Sequence, residues 1–187
     1  MFLFLGALLA FAGVLGFAPM MLFSDNVHQH PSDDELLKRF REKRADLERL
    51  VQMFKADKGL GRVGPDFTRP EDPARVNVSP ERIRQYRRLC DRVGATACIE
   101  GYDAAYERLY GDVQPGTTEV KNHIWIILSA SGLSISGDSK GFLYSAAPPP
   151  RFEIVPDTDH AGHSTQRSPT FIRHIEGPWY VVYEVTN

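Results

Sequence analysis

The chain has 187 residues, 22 Lys and Arg against 24 Asp and Glu, a formal charge of −2, and two cysteines. Well-mixed charge excludes the basic excess of a nucleic-acid binder and the acidic tail of a solvating segment. Two cysteines cannot complete a structural zinc site, and no motif in the chain calls for a cofactor.

The first charged side chain is Asp25, so residues 1–24 form one uncharged apolar run. About 20 helical residues rising about 1.5 Å each cover a bilayer core of about 30 Å, which makes this run a transmembrane anchor. A cleaved signal peptide is the alternative. Gly16-Phe17-Ala18 has small-x-small spacing, but no Lys or Arg precedes the run, Pro19 follows the site, and apolar residues continue to Phe23. Residues 25–31 then read as a tether and 32–187 as a single domain at the inner membrane. Lys38, Arg39, Arg41, Lys43 and Arg44 would hold that domain in the cytoplasm under the positive-inside rule. They are interleaved with acids in a folded helix, however, and the cysteines favour the periplasmic side.

Ser32-Asp33-Asp34-Glu35 is a capping box, followed by Leu36, Phe40, Leu47, Leu50, Val51 and Phe54 at helical spacing. This predicts a first helix over 33–57, lying on a sheet. Gly- and Pro-rich 59–78 reads as loop. Ser79-Pro80 opens a second helix and Gly94 stops it. Cys98-Ile99 suggests a short strand and 102–110 a short helix. Strand patterns follow at 120–128, 133–136, 142–144, 152–155, 170–175 and 179–185, with Gly137-Asp138 and Glu176-Gly177-Pro178 as turn signals. The expected class is α+β: an N-terminal transmembrane helix, then two main helices on an antiparallel sheet of about four or five strands.

Several residues invite a functional reading. Cys90 and Cys98 suit a disulfide closing a small loop, the alternative being two buried reduced thiols. Asp157, Asp159, His160 and His163 carry metal-ligand chemistry in one short loop, with His174 just beyond, though at no rigid spacing. His28 and His30 make a second H-x-H pair in the tether. The Lys140-to-Tyr144 hairpin offers an anion or partner contact, set against a plain β-turn with a solvated Lys. Arg84, Arg87 and Arg88 on the second helix could meet phosphate, lipid headgroups or an acidic partner, or could simply pair with acids such as Glu81. No nucleophile arrangement is legible, because Ser129-Ala130-Ser131-Gly132 is not a nucleophile elbow.

The apolar start, the Ser32-Asp33-Asp34-Glu35-Leu36 helix, the Lys140-Gly141-Phe142-Leu143-Tyr144 run and the Trp179-Tyr180-Val181-Val182-Tyr183-Glu184 terminus together resemble a group of uncharacterised bacterial exported or membrane-anchored proteins. The resemblance implies an envelope setting and transfers no site residues. The sequence therefore reads as a membrane-anchored envelope domain, a non-enzymatic module binding a protein or peptide. The alternative is a metal-dependent hydrolase built on the Asp157-to-His163 loop.

Overall fold

The computed structural model of the protein describes residues 30–101, 105, 123–133, 136–161 and 169–186. In chain order these form α1 (Asp33–Ala56), β1 (Arg62–Val63), β2 (Thr68–Arg69), a 3₁₀ turn (Pro73–Val76), α2 (Pro80–Val93), β3 (Cys98–Gly101), β4 (Ile124–Leu133), β5 (Ser136–Tyr144), β6 (Glu153–Ile154), β7 (Thr170–Glu176) and β8 (Trp179–Thr186). The run 1–24, most of the tether, His28, His163 and nearly all of the helix expected over 102–110 lie outside the described residues.

Both helices begin and end where local chemistry directs. The Glu35 amide donates to Ser32 Oγ at 3.3 Å, and the Ser32 amide donates to Glu35 Oε2 at 2.8 Å, which closes the capping box. Ser79 caps α2 by accepting from the Arg82 amide at 3.2 Å, with Pro80 in the first turn. Gly94 ends α2 in the left-handed conformation, at φ 71°. Where the two helices meet, Tyr86 Oη and Arg82 Nε both donate to Asp57 Oδ2 at 2.7 Å.

The sheet corrects the expected architecture. It has eight strands in the order β2-β1-β3-β4-β5-β8-β7-β6, not four or five, and it is mixed, because β6 runs parallel to β7. The strands not anticipated are short: β1 and β2 have two residues each, too few to show an alternating pattern, and lie inside the segment read as loop, while β6, expected over 152–155, forms over two residues. Gly137-Asp138 is not a turn either. Both residues sit within β5, paired with Gly132 and Ser131 of β4. Among the described residues no helix is long and apolar enough to cross a membrane. α1 has the length, at 24 residues, but carries charge along its outer face.

Both helices pack on one face of the sheet. Phe40 of α1 meets Phe142 and Trp179 with ring centroids 5.7 and 5.4 Å apart, and Leu36, Leu50, Tyr86, Ile99 and Ile126 are fully buried around them. The opposite face carries its own buried group, including Trp125, Leu143, Ile172 and Tyr180. Cys90 of α2 is disulfide-bonded to Cys98 of β3, as expected, with Cα atoms 5.2 Å apart. The bridge ties the end of α2 to the sheet and, on the chain-entropy estimate, stabilises by about 2.5 kcal/mol.

One irregularity positions the functional region. Ile127 pairs with Gly141 but Ser129 pairs with Lys140, so Leu128 is an extra residue and β4 bulges there. A bulge reverses which side chains face which side of the sheet. Without it Ser129 and Ser131 would point away from the helices; with it they share the helix face with Lys140 and Asp138. Gly141 makes room for the bulge, since a Cβ there would lie 2.1 Å from the Ile126 carbonyl oxygen.

Phe40→Ala should lower stability by about 3–5 kcal/mol in urea unfolding, the range for deleting a buried aromatic ring. Ile154→Ala, at a side chain 65 % exposed, should change it by less than about 0.5 kcal/mol.

Candidate functional site

The apolar helix-facing side of the sheet becomes polar where α1 begins. Lys140 of β5 points into this region and is 3 % exposed, not a solvated turn residue. Its ammonium lies 2.9 Å from Asp33 Oδ1 and also contacts Asp159. Asp33, in the first turn of α1, is itself buried and receives three more donors. The Thr158 amide reaches Asp33 Oδ2 at 2.9 Å, the Thr158 hydroxyl bonds Oδ1, and Arg173 Nη1 of β7 reaches Oδ2 at 3.2 Å. The Asp33 amide in turn donates to Asp159 Oδ2 at 2.8 Å. Two cations and two carboxylates thus join α1, β5, β7 and the loop around Thr158. Burial pushes the Asp33 pKa up, but the Thr158 bonds and the Lys140 ammonium outweigh it and hold the carboxyl below its ordinary range.

This network bears directly on the metal reading. Asp33, Asp157 and Asp159 each offer an oxygen, all within 4.8 Å of one another. Lys140 is already seated against two of them, so a divalent ion would have to displace a buried ammonium. His160 is 86 % exposed and bonds Asp157 Oδ2 through Nδ1 at 2.7 Å, while Asp157 Oδ1 accepts the Asp159 amide at 2.8 Å. That hydrogen bond raises the His160 pKa and lowers that of Asp157. His174 turns to the Gly177 carbonyl at 3.0 Å and stacks edge-on against Tyr180, away from the loop. The geometry thus supplies the carboxylates of the expected ligand set and pairs them with side-chain cations.

The remaining anticipated contacts also take internal partners. Tyr144 is half-buried, edge-on to Trp179 at 5.1 Å, with Lys55 Nζ 4.0 Å above its ring. Arg87 Nε donates to the Gly64 carbonyl at 3.1 Å and so steadies the loop between β1 and β2. Arg84 and Arg88 both pair with Glu81, at 2.7 and 2.8 Å. A groove of about 350 Å³ opens between α1 and α2, lined by Asp46, Arg49, Gln85, Arg88, Leu89 and Arg92. Arg92 grips Asp46 with Nη2 at 2.8 Å and Nε at 3.1 Å, which lowers the Asp46 pKa. Among the described residues no carboxylate lies within ion-pair distance of Arg49. Its register with Arg88 and Arg92 depends on how two helices cross, which single-helix periodicity cannot reveal.

Beside the Lys140 network the β4 bulge assembles a second cluster that sequence reasoning missed. His30, noted only as half of an H-x-H pair, has Nδ1 2.9 Å from Ser129 Oγ and Nε2 3.0 Å from Asp138 Oδ1. Asp138 also accepts from Ser131 Oγ and from Tyr183 Oη, the latter at 3.3 Å. Burial again opposes ionisation, but the Ser131 and His30 contacts keep the Asp138 pKa below its ordinary value.

Comparison with protein-family models, with curated proteins and with solved structures finds no match.

Lys140→Met leaves two carboxylates facing a buried apolar side chain and should cost about 3–5 kcal/mol in urea unfolding. Combining it with Asp33→Asn should cost less than the sum of the single changes, the signature of a coupled pair. Because the folded Asp33 pKa is depressed, its contribution is present above the unfolded value of about 3.9 and is lost as pH falls through the folded value. Asp33→Asn should therefore flatten the loss of stability measured below about pH 4.

Proposed function

We propose that the protein is an interaction module of the cell envelope and that the groove between α1 and α2 receives an acidic segment of a protein partner. The observation that carries this reading is the charge of the groove: Arg49, Arg88 and Arg92 against Asp46 alone. Among the described residues no carboxylate lies within ion-pair distance of Arg49, although Asp46 acts on it at longer range, and the pairs made by Arg88 and Arg92 are exposed, with side chains 56 % and 51 % accessible. Exposed ion pairs contribute at most about 1 kcal/mol, so exchanging them for a partner's carboxylates costs little. Guanidinium groups also suit planar, two-point recognition of carboxylates.

The bonded Cys90 and Cys98 support an oxidising compartment, and hence the periplasmic side. Attachment to the inner membrane through residues 1–24 belongs to the same proposal and rests on the uncharged composition of that run. So does the likeness to exported bacterial proteins.

A photo-crosslinking side chain placed at Gln85, in the groove, should capture one partner from native membranes in near-stoichiometric yield. The same side chain at exposed Lys38 should not, and Arg49→Glu with Arg92→Glu should abolish capture at Gln85. Equal recovery from both positions, or recovery that survives the charge reversal, would remove the groove as the contact.

A further inference from the structure

The cluster under the start of α1 has the parts of an acyl-transfer site. We infer that Ser129 is a nucleophile toward carboxylic esters, with His30 as its general base and Asp138 as the group that positions His30. This activity is separate from the arginine groove, and either proposal can fail without the other.

Geometry carries the inference. With its proton on Nε2, facing Asp138, His30 presents the Nδ1 lone pair to the Ser129 hydroxyl at 2.9 Å, within reach for proton abstraction. Asp138 Oδ1 lies 3.0 Å from Nε2 but off the ring N–H axis, so in this state it orients the imidazole mainly by charge. Such contacts commonly tighten once substrate is bound. Ser131 and Tyr183 fix Asp138 from two sides, and the ring of Tyr183 packs edge-on against His30 at 5.6 Å. The His30 side chain is 10 % exposed and that of Asp138 30 %, so the relay is shielded while Ser129 remains partly accessible. The bulge gives a second, independent observation: an irregular residue, accommodated by Gly141, turns Ser129 toward His30 and Ser131 toward Asp138. Lys140 and Tyr183 stand in register with Ser129 on the same face, the first held by Asp33 and Asp159 and the second donating to Asp138.

The chemistry balances with water as the only co-reactant. Ser129 Oγ bonds to the ester carbon as its proton passes to His30 Nδ1. The ester C–O bond then breaks, and the departing alkoxide takes that proton. Water attacks the acyl-serine, gives its proton to His30, and releases the acid with the Ser129 hydroxyl restored.

The test uses the full chain and p-nitrophenyl acetate. The folded protein should release p-nitrophenol faster than buffer, and mass spectrometry should find an acetyl group on Ser129. Ser129→Ala should abolish release, and His30→Gln should slow it by about 10²–10⁴-fold. Asp138→Asn should lower kcat with KM unchanged, and Asp138→Glu should restore part of the rate; a merely structural Asp138 would leave kcat unchanged in both variants. Release at the buffer rate, or release that survives Ser129→Ala, would overturn the inference. A second readout does not depend on turnover. In a Ser129→Cys variant the new thiol should react with iodoacetamide at pH values well below the ordinary thiol pKa of about 8.5, and His30→Gln should remove that reactivity. An ordinary thiol profile would equally overturn it.

Discussion

The ammonium of Lys140, buried against Asp33 and Asp159, is the contact on which the rest of this molecule depends. Moving it out of water carries a large desolvation cost, which only close and complete pairing offsets. Pairing of that quality demands that α1, β5, β7 and the loop around Thr158 all be in place at once. Asp33 shows how tightly the requirement is drawn: it belongs to the first turn of α1, where its charge also suits the helix dipole, and it accepts bonds from three other parts of the chain. The ion pair therefore fixes the register and tilt with which α1 lies on the sheet, while the apolar stripe ending at Phe54 supplies the larger, less directional attraction.

That arrangement divides the helix face of the sheet into two regions with different physics. Around Phe40, Phe142 and Trp179 the packing is apolar and closed. Beyond the bulge at Leu128 it is polar, with Ser129, Ser131, Asp138, Lys140 and Tyr183 in adjoining register positions. A buried polar region is tolerable only when its groups satisfy one another. The network centred on Asp33 meets that condition; the one centred on Asp138 does so except at His30 Nε2, which faces Asp138 at 3.0 Å without a hydrogen bond. Their proximity matters for chemistry, because a shielded, preorganised set of charges is what distinguishes a reactive serine from a structural one. The arginine groove lies elsewhere, on the outer side of the helix pair. Its arginines are exposed, and such solvent-exposed ion pairs contribute little to the stability of the fold.

Much of the local structure was legible because it depends on near neighbours. The capping box at Ser32, the Ser79-Pro80 start and Gly94 stop of α2, and the closing hairpin at Gly177 are each decided within a few residues. The two-residue strands β1 and β2 escaped notice for the converse reason: they form only by pairing with each other and, through β1, with β3, while β6 was legible from its run of β-forming residues at 152–155. Gly137-Asp138 was misread as a turn because a glycine beside an aspartate is a common turn signal, whereas Gly137 serves a close approach in mid-strand, 2.3 Å from the Ser131 carbonyl oxygen if a Cβ were added.

The sites divide along the same line. Chain chemistry alone determined which residue types were available: the Cys90 and Cys98 pair eight positions apart, the acidic and imidazole groups of the loop after Pro156, the arginines of α2, and the lysine ahead of Gly141. Tertiary structure decided what each of them does. Lys140 became an internal counter-ion because Asp33, over a hundred residues earlier, arrives beside it. His30 met Ser129 across 99 positions of sequence, and only because one extra residue in β4 reversed the direction of the serine. Periodicity reports the faces of a single element. It carries no information on where a strand slips by one residue, or on which distant charge will neutralise a buried one, since both are settled by packing between elements rather than within them.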